Sequence, residues 1–203
     1  MLTTPVHEVQ TARGIARLQV DGDLRRGLLV LGHGAGGGVE AIDLLAARDA
    51  GLAAGLSVVR VEQPWRVRGR RVAEPPAQLD AAWLDVGAWL RTSRPAGRLL
   101  VVGGRSAGAR VACRTATELG ATAVLCLAFP LAPAGRPERT RAHELALPGV
   151  PLLVVQGSRD AFGIPVGAVV VEGADHAFAT RRGDPAAAPQ IELLVRNWLL
   201  QLP

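Results

Sequence analysis

At 203 residues the chain has the length of one domain with a sizeable core, and 49% apolar against 20% charged residues is a globular balance. The net charge of +5 rests on 23 basic residues, all arginine, in a chain rich in Ala, Gly and Pro. That is a compositional bias and not a nucleic-acid footprint, because only Trp65 stands near the main basic cluster. No apolar run is long enough to span a bilayer, and MLTTPVHEVQTARG lacks a signal peptide's basic start and apolar stretch, so a cytoplasmic location is expected.

Segments 6–11 and 14–20 alternate apolar and polar residues and predict antiparallel edge strands. Residues 1–26 thus precede a core of 27–203 within one domain. GLLVLGH (27–33), LSVVRVE (56–62), LLVVGG (99–104), TAVLCLAF (122–129), PLLVVQG (151–157) and GAVVVEG (167–173) are apolar at consecutive positions. Such runs suit parallel strands covered on both faces. Helical periodicity fills 38–54, 77–93 and 107–119 between them, and 189–201 forms a C-terminal amphipathic helix with proline near its start. The alternation predicts an α/β fold, a mostly parallel, doubly wound sheet flanked by helices. Residues 130–148, proline- and arginine-rich, read as an excursion above the sheet, too short for a lid domain. Cys113 and Cys126 lie in apolar elements without metal-ligand spacing and are expected as buried free thiols.

Open α/β sheets bind ligands at the carboxyl ends of their strands. The strand 99–104 runs into Gly104-Arg105-Ser106-Ala107-Gly108, and a helix follows. This strand–turn–helix setting is what a nucleophile elbow requires, with Ser106 in a tight turn and glycines where neighbouring backbones approach. Upstream, the strand 27–32 ends in His33-Gly34-Ala35-Gly36-Gly37-Gly38. A loop at this place supplies one oxyanion amide and the residue after the nucleophile the other, which nominates Ala35 and Ala107. A phosphate or dinucleotide loop fits poorly, since the spacing is not G-x-G-x-x-G and no Lys-Ser/Thr follows. Downstream, two later strands end in Asp160 and in Asp175-His176. Asp160 would orient His176, and His176 would take the proton of Ser106. Asp175 is adjacent to the histidine and better suited to capping its turn. Glu172 lies before the strand end, His143 in the excursion and His7 in an edge segment, where structural roles are expected.

The strand 56–62 leads into Gln63-Pro64-Trp65-Arg66-Val67-Arg68-Gly69-Arg70-Arg71. Arg66, Arg68, Arg70 and Arg71 suit a substrate carboxylate or phosphate, and equally a solvated basic loop paired to acids such as Glu62 and Glu74. His33, Gly34 and Arg105 join them as candidate substrate contacts.

The motifs LGHGAGG, R-x-G-R-R…P-P, GGRSAGAR, F-P-L-x-P-x-G-R-P (129–137), VQGSRDAFG and GADHAF span residues 31 to 178. Together they resemble the KANL/Tex type of α/β-hydrolase-like domain, close to the dienelactone-hydrolase-like proteins. The resemblance implies a compact single-domain α/β-hydrolase fold, with Ser106, Asp160 and His176 as nucleophile, acid and base. It also implies that the 66–71 arginines belong to a family pattern. Dienelactone hydrolases use cysteine as nucleophile, so their substrate does not carry over. The expected activity is serine hydrolysis of a small ester, thioester or related acyl compound, anionic if the arginines take part, with no metal or organic cofactor. The alternative is a hydrolase-like binding or scaffold domain with little activity. Neither a nucleic-acid nor a membrane partner is expected. Monomer and homodimer both remain open, with the C-terminal helix and the edge strand as candidate surfaces.

Overall fold

A computed structural model describes residues 5–93, 96–182 and 186–203; residues 1–4 of the N-terminal segment lie outside the described set. β1 (Val6–Thr11) and β2 (Gly14–Asp21) form an antiparallel hairpin. The chain continues through β3 (Leu28–Gly32), α1 (Ile42–Ala53), β4 (Ser57–Glu62), the single turn α2 (Pro64–Val67), α3 (Pro76–Ser93) and β5 (Leu100–Arg105). It proceeds through α4 (Ala107–Leu119), β6 (Ala123–Leu127), the short α5 (Ala142–Leu145), β7 (Leu152–Gly157), β8 (Val169–Val171) and α6 (Ala187–Leu199). The strands form one eight-stranded sheet of order β1-β2-β4-β3-β5-β6-β7-β8, parallel from β4 to β8. This is the α/β-hydrolase fold with a mostly parallel sheet between helices. β2 is not an edge: it pairs antiparallel with β4, and β1 covers its other side.

The uniformly apolar strands hide a strict alternation. Leu28, Val30, Val59, Val102 and Val124 pack with α3 and α4 on one face; Leu29, Leu31, Val58, Val101 and Leu125 pack with α1 and α6 on the other. The sequence period is silent because both faces are dry. Cys113 and Cys126 are buried free thiols 3.4 Å apart. Two elements are shorter than their patterns. α1 begins at Ile42 and not at 38 because Gly38, a poor helix former, opens a turn in which its carbonyl accepts the Ala41 N–H (3.3 Å), and β8 keeps only three residues of 167–173. Among the described residues no helix is long and apolar enough to cross a membrane.

The excursion 130–148 is pinned down. Glu144 on α5 is buried and takes two bonds from Arg110 of α4 (2.6 and 2.8 Å). Arg114, one turn on, reaches Glu144 at 3.3 Å and grips Asp80 of α3 at 2.6 and 2.8 Å. A segment held by this bidentate network is a fixed rim, not a closing lid.

The chain passes from β3 to β4 on one side and to β5 on the other, so the crevice beyond the β3 and β5 carboxyl ends is the switch point of the sheet. There three backbones meet. A Cβ on Gly104 or on Gly108 would each lie 2.2 Å from the Gly32 carbonyl oxygen. Gly108→Ala keeps a helical backbone and adds a clash with the Gly32 carbonyl group and a tight approach to His33 O. We expect it to lower unfolding stability by about 3 kcal/mol, read as a shift in denaturant midpoint at unchanged slope.

Candidate active site

Ser106 sits between β5 and α4 with φ 53° and ψ −108°. A non-glycine residue costs about 1–3 kcal/mol in such a region, so the surroundings must hold it there. They do: its N–H donates to Leu127 O (2.9 Å), and its carbonyl accepts the Arg110 N–H (3.2 Å) as α4 begins. Ala128 (φ 47°) and Phe178 (φ 55°) are the other non-glycine residues with positive φ among the described residues, and both follow carboxyl ends of strands facing the same crevice.

The loops after β7 and β8 are stitched together. Ser158 N–H donates to Val171 O (3.0 Å), Arg159 N–H to Ala174 O (2.9 Å), and the Arg159 Nε–H to Gly173 O (2.8 Å). A Cβ on Gly157 would stand 2.4 Å from Ala174 O, so only glycine admits this approach. Asp175 accepts the Ala177 and Ala179 amides (2.8 and 2.9 Å) and shapes the histidine's turn. The result brings three side chains of the sequence reading into one chain. His176 Nδ1 lies 2.8 Å from Asp160 Oδ2, and His176 Nε2 lies 3.1 Å from Ser106 Oγ. With Nδ1–H donating to the carboxylate, Nε2 is left to accept the serine proton.

Asp160 is buried and held on both oxygens. Oδ1 accepts the Phe162 N–H (2.8 Å), and Oδ2 accepts Gln156 Nε2–H (2.7 Å) besides His176. The Nε2 of Gln156, fully buried on β7, also lies 3.1 Å from Phe129 O and 2.9 Å from Gly163 O, so its two N–H groups are shared among three acceptors. It went unnoticed in the sequence; a glutamine ending an apolar strand one residue before Gly-Ser-Arg-Asp was the available signal. The Phe162 ring packs on the His176 imidazole with centroids 4.4 Å apart.

Across the crevice, the Gly37 amide donates to Gly34 O (3.3 Å), closing a turn that carries Ala35. The Ala35 amide makes no hydrogen bond among the described residues, and Ala107, first residue of α4, has no intrahelical acceptor for its N–H. A Cβ on Gly34 would come within 3.3 Å of the Ser106 Cβ, so this turn and the elbow touch.

Three of the candidate substrate contacts have other duties. His33 is 2% exposed; its Nε2 accepts the Gln63 N–H (3.1 Å), its Nδ1 faces Gly34 O (2.9 Å), and burial depresses its pKa. It is a neutral strut, with neither nitrogen free for a ligand. Arg68 spends its guanidinium on Glu74 (2.7 Å) and the Arg13 carbonyl of the β1–β2 turn. Arg105 is folded inward: Nε lies 3.1 Å from Asp43 Oδ2, and Nη2 donates to the His176 carbonyl (2.8 Å). Arg66 remains half-buried, lining a hollow of about 520 Å3 with Gly37, Glu40 and Glu62, while Arg70 and Arg71 are exposed. Trp65 belongs to the core, against His33. Of the other histidines, His143 is exposed on α5 and His7 packs on Trp89.

Residues 25–191 match the sequence profile of the alpha/beta hydrolase domain family. The chain belongs to that family. It is similar in structure to a serine hydrolase without a lid from Xanthomonas campestris, at 20% identity and a TM-score of 0.69, over 100% of this chain and 98% of that one. An α/β serine hydrolase homologue from Coxiella burnetii superposes with a TM-score of 0.70 at 18% identity, covering 99% and 98%. Est1E from Butyrivibrio proteoclasticus gives 0.76 at 14%, covering 97% and 98%. Comparison with curated protein sequences finds no match.

Asp43, fully buried in the first turn of α1, has its pKa raised from 3.8 to about 6, chiefly by burial and against the pull of Arg105. The unfolded chain gives up this proton near 3.8, the folded one near 6, so the group subtracts stability as pH rises through that window. Relative to Asp43→Asn, the wild type is expected to lose up to about 3 kcal/mol between pH 4 and pH 7, measured by chemical denaturation at each pH.

Proposed function

We infer that the protein is a serine hydrolase of the esterase type, acting on a small ester, thioester or related acyl compound. The observation that carries this reading is the continuous Ser106–His176–Asp160 relay, with links of 3.1 and 2.8 Å, at the switch point of the sheet. Ser106 Oγ attacks the acyl carbonyl while His176 Nε2 takes its proton. Asp160 holds the imidazole tautomer and balances the imidazolium charge. The Ala35 and Ala107 amides receive the oxyanion, aided by the N-terminal end of α4. His176 then gives its proton to the leaving group, water enters as the second nucleophile with His176 as base, and the acid product departs. Family membership supports hydrolysis; the motif set from LGHGAGG to GADHAF supports placement in the KANL/Tex-type branch, close to the dienelactone-hydrolase-like proteins.

The surroundings favour a short acyl group. Beside Phe162, which packs on His176, lies an alcove of about 160 Å3 lined by Leu131, Ala132, Pro133, Pro137 and Phe162. That is the size of a cavity that holds one benzene ring. Arg66, with Arg70 and Arg71, remains available to attract an anionic substrate to the crevice mouth.

Steady-state hydrolysis of p-nitrophenyl esters from acetate to palmitate tests the reading. The expected result is activity falling steeply beyond butyrate, with Ser106→Ala lowering kcat by at least about a thousandfold at unchanged thermal stability. A preference for palmitate, or equal rates in Ser106→Ala, contradicts it.

A further inference from the structure

Arg105 stands between the two glycines of the elbow's G-x-S-x-G, a position whose side chain would be expected to face solvent or ligand. Instead it is only 12% exposed and reaches under the site. Its guanidinium meets several elements at once. Nε pairs with Asp43 Oδ2 at 3.1 Å, at the start of α1. Nη2 donates to the carbonyl of His176 at 2.8 Å. Nη1 fills the space beside the Gly34 turn, where a Gly34 Cβ would lie 3.0 Å away and a Gly37 Cβ 3.7 Å. One side chain, anchored on the residue next to Ser106, thus touches the histidine loop and the turn that carries Ala35.

We propose that Arg105, charge-balanced by Asp43, is a positioning residue that sets His176 and the Gly34–Gly37 turn against Ser106. The inference rests on the reading of Ser106 as nucleophile and extends it to residues outside the relay. The geometry explains why a buried ion pair is kept here. Two charges removed from water are a poor source of stability, and in some proteins such a pair serves to fix one arrangement against others. Apart from the Arg105 bond and the His176–Ser106 contact itself, the hydrogen bonds of the histidine loop run within the loop or to the loop after β7. The planar fork places its charge beside Asp43, one hydrogen bond on the His176 carbonyl and one nitrogen against the Gly34 turn in fixed directions, where an ammonium is a compact point charge.

Four variants of the full chain separate positioning from mere support: Arg105→Gln, Arg105→Lys, Asp43→Asn, and Arg105→Gln with Asp43→Asn. The double variant removes both charges together, so no uncompensated charge stays buried and the fold is kept even where Arg105→Gln alone is unstable. Two readouts apply: kcat and KM for p-nitrophenyl acetate, and the His176 imidazole resonances. In the double variant we expect wild-type thermal stability, kcat lowered about tenfold to a hundredfold, KM within about threefold, and shifted His176 resonances. Arg105→Lys should recover part of kcat, because it keeps the charge and one contact. A stable double variant with wild-type kcat and unmoved His176 resonances overturns the proposal. A wild type that hydrolyses no ester, but whose His176 resonances move in the double variant, leaves the positioning role standing and removes the reading of Ser106.

Discussion

The site depends on one close approach: the backbones of β3, β5 and α4 meet at Gly32, Gly104 and Gly108 with no side chain between them. This contact lets the chain turn from strand into helix within one residue, leaving Ser106 at a positive φ with its hydroxyl projecting from the sheet's carboxyl edge. It also sets the first free amide of α4 beside the turn that follows β3. Any methyl group at the contact would lift the helix from the strand and pull the elbow away from its partners. The strain at Ser106 is therefore balanced by packing, not by local propensity.

Around that fixed point the fold holds its loops in place with buried polar groups. The Phe162 amide holds Asp160 Oδ1 and Gln156 holds Oδ2, which fixes the carboxylate with Oδ2 toward His176. Arg105 ties the histidine loop from below, at the cost of a desolvated Asp43 that the α1 N-terminus and the guanidinium only partly offset. Glu144, Arg110, Arg114 and Asp80 do the same for the excursion, turning it into a static rim. All-arginine usage suits this design, because planar guanidinium groups satisfy several acceptors where an ammonium would leave some unpaired.

The parallel sheet was legible because its strands are continuous apolar runs between helix-length segments, and only their ends were misjudged. Residues 38–41 read as helix by periodicity yet form a turn because Gly38 is a poor helix former, and the edge strand β8 has too few partners to extend its full apolar run. At the candidate site, the strand-end residues Ser106, Asp160 and His176 could be nominated together because chain order and spacing carry the information, and the structure brings their side chains within hydrogen-bond distance. Residues that act through contacts across the sheet could not. Asp43 reads as the polar face of a helix, Gln156 as the end of a strand, and Arg105 as an arginine near a ligand; only their three-dimensional neighbours distinguish support from recognition. The same limit applied to His33 and Arg68, whose polar atoms are consumed by the protein itself.

The central claim is that Ser106 is a nucleophile activated by its two partners. Intact-mass analysis after treatment with a fluorophosphonate tests it most directly, followed by peptide mapping. The account predicts a single stoichiometric adduct on Ser106, absent in Ser106→Ala and formed far more slowly in a folded His176→Ala. A well-folded wild-type protein that forms no adduct, or one that carries it on another residue, would contradict the account.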